Sequence, residues 1–271
     1  MKITFDTNTW QRVAVPHKFP NNPASAHAIH DALKDGLVEG FICETVVTLE
    51  AVPKGQRSPY LSARASDAIN FDESVADDGK VQVRVTVGGT TQAHPGMHPI
   101  LKDRLREAFN LGFKYIPVPR IGTARPPDFQ VFESHRIPLT VNQQANIDPL
   151  LNRIGAVSRQ IEDRGYGRTL LKEIATRIQT RHQMGQVPWF YGLDQPQDTT
   201  EDREIDRAFA EWADGDTVAV HIGYDLDAIC TEDKAGGQSN SIFSTAGRRW
   251  LEADHSVEII NMDELADRLT G

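Results

Sequence analysis

Four short apolar runs stand near the two ends of the chain: Lys2-Ile3-Thr4-Phe5, Gly40-Phe41-Ile42-Cys43, Asp227-Ala228-Ile229-Cys230-Thr231 and Val257-Glu258-Ile259-Ile260. Each is too short for a helix and is bounded by turn or cap residues, which predicts buried strands over 2–5, 41–43, 227–231 and 257–260. Between the first two runs, Ala28, Ile29, Ala32 and Leu33 recur at helical spacing and predict a helix over 26–39. Glu44 to Val52 reads as a further short helix, ended by Pro53, which lacks the N–H to continue it. Strand–helix–strand–helix order is the mark of a parallel sheet covered by helices. The expected fold is therefore α/β, a three-layer α/β/α sandwich around a central parallel sheet, with strands 2–5 and 227–231 as neighbours.

The middle of the chain is less regular. Val81, Val83, Val85 and Val87 alternate before Gly88-Gly89, predicting a half-buried strand and a turn. Pro99 to Leu111 is helical in pattern, Tyr115 to Pro127 is a Pro-rich extended stretch, and Phe129-Gln130-Val131-Phe132 is strand-like. Ile147 to Met184 predicts one or two helices with a break near Gly165-Tyr166-Gly167. Closer to the C-terminus, Glu201 to Trp212 predicts one helix, and Asp216 opens a second that runs to about Gly223; Ile242 to Ala253 predicts another. This pattern divides a single domain over 1–271 into a core drawn from 1–55 and 205–265 and a mixed α+β insertion over 56–200.

Composition narrows the class. At 39% hydrophobic and 25% charged residues the chain is an ordinary globular protein, and no run approaches the length of a membrane span. The chain opens directly on a strand-like run, which leaves no room for a signal peptide. The two cysteines, Cys43 and Cys230, each follow an isoleucine in an apolar run, which points to buried free thiols and a cytoplasmic protein. The net charge of −9 is uneven: residues 1–50 carry −2, residues 51–192 carry +6 and residues 193–271 carry −13. Such a balance disfavours indiscriminate nucleic-acid binding but allows a local basic face.

Asp6 follows the first strand, Glu50 lies after the second, Asp216 opens a helix, and Asp233 follows the strand after that helix. In a parallel sheet the carboxyl ends of the strands share one edge, where ligands bind. Singly, Asp6 and Asp216 are equally well read as helix caps and Asp233 as a turn residue. In combination the residues carry a resemblance. Phe5-Asp6-Thr7-Asn8, the run from Phe41 to Glu50, and Asp216-Thr217-Val218-Ala219-Val220-His221 followed by Cys230-Thr231-Glu232-Asp233 resemble the acidic motifs of the PIN domain family of metal-dependent ribonucleases. The match covers roughly residues 1–55 and 205–265, so the intervening stretch is an addition to a minimal PIN domain. Glu44 stands near the glutamate position as well, and Asp214 near the third acid.

The resemblance implies that Asp6, Glu50, Asp216 and Asp233 bind Mg²⁺ or Mn²⁺ and act as the catalytic acids, within bridging reach of one another, with Asn8 and Thr231 orienting them. It implies an endoribonuclease with RNA as substrate, and it leaves open an inhibitory protein partner and a homo-oligomer. The basic run of the insertion, densest from Arg153 to Arg181, is either a solvated helix face or a rail for the RNA backbone. In the second case Arg168, Lys172 and Arg181 share one helical side, bind substrate, and the insertion supplies most of the RNA affinity. Zinc is disfavoured, because Pro and Gly interrupt His94-Pro95-Gly96-Met97-His98. Two other readings remain: a non-catalytic PIN-like binding module, and a phosphatase of the haloacid-dehalogenase kind, for which Asp6-Thr7-Asn8 lacks the second acid.

Overall fold

The computed structural model describes all residues except 22, 66–68, 76–80, 88–95, 119–124, 186, 235–240 and 271. The Gly88-Gly89 turn, His94 and part of the Pro-rich stretch therefore lie outside the described residues. At the centre is β1 (Lys2–Phe5), whose Ile3, Thr4 and Phe5 are all fully buried. Burial on both faces is what a parallel sheet covered by helices demands. β1 pairs in parallel with β2 (Glu39–Cys43) on one side, Ile3 facing Gly40, and with β6 (Ala228–Cys230) on the other, Ile3 facing Ala228. β5 (Lys114–Ile116) extends the sheet beyond β2, and β7 (Ile259–Ile260) extends it beyond β6, giving the all-parallel order β5-β2-β1-β6-β7. The predicted neighbours 2–5 and 227–231 are thus paired in one sheet. The chain winds outward from β1 through β2 to β5, then restarts on the far side with β6, so the topology reverses between β1 and β6. That is the place where open α/β sheets leave a crevice at their carboxyl edge.

The helical layers follow from apolar stripes. In α1 (Thr7–Ala14) the residues Trp10, Val13 and Ala14 are buried, an i, i+3, i+4 face. α1 packs with α2 (Ala24–Lys34) and α5 (Pro99–Leu111), and α11 (Met262–Thr270) packs on α2. Gly40 keeps this layer close, since a side chain there would meet Phe113 at 2.7 Å and Leu33 at 2.9 Å. The other layer is built on α9 (Thr199–Tyr224), which contacts β2, β6 and the short α3 (Glu44–Val47) and is covered by α7 (Asp148–Asp163) and α8 (Arg168–Arg181). A second hydrophobic cluster joins Leu49, Val52 and Tyr60 of the segment after β2 to α8 and the first half of α9. The remaining elements are α4 (Arg57–Ala65), the antiparallel hairpin β3 (Ile69–Val75) and β4 (Val81–Val87), α6 (Val141–Ala145) and α10 (Thr245–His255). Among the described residues no helix is long and apolar enough to cross a membrane.

Several expectations are corrected. The helices predicted at 201–212 and 216–223 are one continuous helix, α9, capped by Asp198, whose carboxylate accepts from Thr200 and Glu201 N–H. Gly215 is not a break: its missing side chain admits Gly167, whose Cα would lie 2.9 Å from a Cβ at 215. The helix predicted over 26–39 ends at Lys34, where Gly36 takes a left-handed φ of +72°. The helix predicted to Val52 stops at Val47. Four β-branched residues, Thr45 to Thr48, weaken it, and Arg57 instead donates to the carbonyls of Glu50 and Val52 at 3.0 and 3.3 Å. Phe129–Phe132 is not a strand but part of a 3₁₀ helix, Pro127–His135. The Tyr115 stretch contributes β5, so the sheet draws on residues inside the segment assigned to the insertion.

His221 of α9 yields a pH prediction. It is buried, its Nδ1 2.9 Å from the Thr4 hydroxyl, and burial pushes its pKa down to about 4 against the opposing pull of Asp227 and Asp225. The ordinary value of 6.5 applies once the chain unfolds, so the unfolded state binds the proton more tightly. Stability from the neutral ring is present above pH 6.5 and lost as pH falls toward 4. The stability advantage of the native protein over His221→Gln, measured by urea unfolding, is expected to shrink by about 2–3 kcal/mol between pH 7 and 4.5. An advantage that is constant over that range would contradict the buried neutral state.

Candidate functional site

Asp6 sits at the carboxyl end of β1 as the N-cap of α1, its Oδ1 accepting from Thr7 N–H at 2.6 Å. Its other oxygen, Oδ2, accepts from the Thr231 hydroxyl at 2.7 Å, across the β1–β6 crevice. That hydroxyl also accepts from Asp233 N–H at 3.0 Å and from the Asn8 amide at 3.4 Å, while the Asn8 carbonyl takes Glu232 N–H at 3.0 Å. The first turn of α1 is thereby laced to the residues after β6. Asn8 and Thr231 stand where the sequence reading put them, and the capping role of Asp6 coexists with its place at the crevice.

Glu50 joins from the β2 side, Oε2 accepting from the Thr7 hydroxyl at 2.7 Å. Its neighbours Leu49 and Val52 are buried in the second cluster, which turns Glu50 the other way, toward Asp6. Burial pushes its carboxyl up to about 7; Arg57, the Thr7 hydroxyl and Lys54 oppose the rise, and Asp6 adds to it. Glu44 is committed elsewhere. Fully buried, it accepts from Val118 N–H at 2.7 Å and from Arg125 Nε at 2.5 Å, in a network that continues to Glu133. Of the two glutamates the structure brings Glu50 to the site.

The structure places Asp214 and Asp216, the two candidates for the third acid, on different faces of α9. Asp216 is fully buried on the sheet side of α9, where its Oδ2 accepts from the Thr45 hydroxyl at 2.9 Å and its charge helps burial raise the Cys43 thiol to about 12. Asp214 is the residue that faces the cluster. Its carboxyl is raised well above the usual range first by burial, then by Asp6, Glu211, Glu50 and Asp233. Two residues apart on a helix, 214 and 216 point about 200° apart, so only one can face the crevice. Burial also raises Asp6, with Asp233 adding to the shift against the hydrogen bonds from Thr231, Thr7 and Asn8. In the sequence Asp214 stands only as an alternative to Asp216, because the pattern ends one helix at Trp212 and opens the next at Asp216; read as one helix, Glu211, Asp214 and Gly215 share a face at i, i+3 and i+4.

No family model, curated protein or solved structure matches the chain.

The basic run of the insertion is largely internally paired. Arg168 and Lys172 both reach Glu162, at 3.1 Å each, while Arg181 clasps Glu201 at 2.7 Å beside Arg177. Arg181 does not share their side: thirteen residues after Arg168 it is turned by about 220°. The cations nearest the acids are others. Lys54 and Arg57 act on Glu50, exposed Lys234 follows Asp233, and Arg248 holds the Asp233 and Phe243 carbonyls.

Among the described residues, no three His, Cys, Asp or Glu side chains stand close enough to share one ion as they are. The bridging expected between the acids is therefore not formed in this arrangement. The donor set nevertheless suits a hard divalent cation, because Asp6, Glu50, Asp214 and Asp233 offer only oxygen, and burial together with neighbouring acids raises the carboxyls of the first three. Removing one charge relieves the repulsion between them, so Asp214→Asn is expected to raise the melting temperature of the chelator-treated protein by roughly 2–8 °C, corresponding to about 1–2 kcal/mol. The test is a thermal melt in EDTA; a variant that melts below the native protein there would show that Asp214 carries no repulsive load.

Proposed function

We propose that this chain is a metal-dependent nuclease that hydrolyses RNA phosphodiester bonds, with Asp6, Glu50, Asp214 and Asp233 as its acidic centre. What supports this reading is the linkage at the β1–β6 crevice: Thr231 joins Asp6 to the Asp233 backbone, Thr7 joins Asp6 to Glu50, and the charges of all three acids act on Asp214 of α9. The resemblance of the Asp6 and Asp233 motifs to PIN domains selects RNA among phosphodiesters, and two buried free thiols suit a cytoplasmic setting. A Mg²⁺ or Mn²⁺ held by these carboxylates would supply Lewis-acid stabilisation of the phosphate and a more acidic bound water.

The chain's own residues do the rest. Thr231 and the Thr7 N–H fix both oxygens of Asp6, and each oxygen keeps a lone pair for a cation. Thr7 fixes one oxygen of Glu50 and so ties two acids through neighbouring groups of one residue. Exposed Lys54 and Lys234 flank the centre and attract the RNA backbone toward an otherwise acidic surface. The paired state of Arg168, Lys172 and Arg181 gives them a structural part first, and the insertion a smaller share of the affinity than its +6 charge suggests. A non-catalytic module is the second reading, favoured by the present separation of the acids.

Asp6→Asn is expected to abolish Mn²⁺-dependent cleavage of single-stranded RNA, with the fold intact by circular dichroism. Undiminished cleavage by this variant, or by the native protein in EDTA, would refute the assignment. No cleavage of any RNA, despite Mn²⁺ binding, would favour the module. Binding of an uncleavable strand in Ca²⁺ across a salt series is a separate test. Lys54→Gln with Lys234→Gln should reduce the salt slope by about 1.4, at roughly 0.7 per lost phosphate contact. Replacing Arg168, Lys172 and Arg181 by Gln should leave the slope unchanged; the opposite ranking would restore the basic rail of the insertion.

A further inference from the structure

Glu211 lies one turn before Asp214 on α9 and is 7% exposed. Its Oε1 accepts two backbone N–H groups, from Ile242 at 2.8 Å and from Gly167 at 3.4 Å. These come from different parts of the chain. Ile242 belongs to the segment that follows Asp233 and leads into α10, and Gly167 is the left-handed N-cap of α8, at φ +63° in the linker between α7 and α8. One turn further along α9, Gly215 lies directly beneath Gly167, and a Cβ on Gly167 would in turn meet Ile161 of α7 at 3.1 Å. The face of α9 that presents Asp214 thus also pins the α7–α8 linker and Ile242, whose neighbour Phe243 shares Arg248 with the Asp233 carbonyl.

We propose that Glu211 is a positioning residue of the acidic centre: by holding Ile242 and Gly167 against α9 it sets where Asp233 stands relative to Asp214. The proposal rests on the metal-centre reading above and adds to it a residue that need not touch the metal or the RNA. The alternative uses of Glu211 separate by chemistry. If it positions, what matters is an acceptor oxygen at this place, which glutamine retains. If it supplies charge to the centre, glutamine is as damaging as alanine. If it only stabilises the fold, its loss lowers melting temperature without changing the affinity of the folded protein for metal.

The test is Mn²⁺ binding to the full chain, followed by electron paramagnetic resonance well below the melting temperature of each variant, with no RNA present. Glu211→Ala is expected to weaken Mn²⁺ binding by about 10–100-fold, the usual effect of losing an orienting group behind a metal ligand. Glu211→Gln should rescue it to within about threefold of the native value. Gly215→Ala perturbs the same contact without touching a carboxylate and should also weaken binding, which keeps the idea testable if Glu211→Ala does not fold. Equal Mn²⁺ affinity in native protein, Glu211→Ala and Gly215→Ala overturns the positioning role while leaving the metal centre intact. Loss in both Ala and Gln variants of Glu211 overturns it in favour of a charge contribution. No Mn²⁺ binding by the native protein overturns the metal centre and this proposal together.

Discussion

The pairing of β1 with β6 is the constraint on which the rest of the site depends. It brings Asp6 into hydrogen-bonding distance of Thr231, 225 positions later in the sequence, and does so at the carboxyl ends of two parallel strands. Neither end alone makes a site. β1 supplies Asp6 and the first turn of α1, and β6 supplies Thr231 and Asp233. The reversal of winding between the two strands keeps helices from closing the space above them. Everything else is brought to that crevice by packing: Glu50 because Leu49 and Val52 are drawn into the second cluster, and Asp214 because α9 runs unbroken past the crevice.

That convergence works against stability. Burial and mutual repulsion raise the carboxyls of Asp6, Glu50 and Asp214, so the ionised centre opposes the fold that creates it. The cost is offset where side chains are fully apolar, in the sheet and in the two hydrophobic clusters on either side of α9. Structural acids are treated differently. Glu44 and Glu201 are matched by Arg125 and by the pair Arg177 and Arg181, and in Glu201 the carboxyl falls to about 2, chiefly through the Arg181 hydrogen bond. Asp6 and Glu50 accept instead from hydroxyl and backbone groups, with Arg57 and Lys54 acting on the Glu50 carboxyl through their charge alone.

Much of this was legible in the sequence, for physical reasons. A parallel strand buried on both faces is a short apolar run ended by a turn, so β1, β2 and β6 announce themselves, and residues just past their ends are candidates for the edge. Asp6 and Asp233 follow from that rule, and Asn8 and Thr231 were added by the resemblance to PIN domains. Glu50 was preferred to Glu44, and the structure shows why Glu44 is excluded: Arg125, 81 positions away, takes it up, which no local pattern reveals. Asp216 was preferred to Asp214 because Asp-Gly-Asp looks like a helix start, whereas Gly215 serves a contact with Gly167 that only tertiary packing creates. The basic run misled for a related reason. Charge counted along the chain ignores partners, and Glu162 and Glu201 consume most of it across helix boundaries. β5 was missed because three residues inside a Pro-rich stretch carry too little pattern to register as a strand.

The most direct measurement is a comparison of Mn²⁺ binding by Asp214→Asn and Asp216→Asn, by calorimetry at a temperature where both are folded. The two residues are separated by one glycine and differ only in which side of α9 they occupy. The account predicts that Asp214→Asn loses most of the affinity, while Asp216→Asn retains it. Retention by Asp214→Asn with loss by Asp216→Asn, or no Mn²⁺ binding by the native chain, would contradict it.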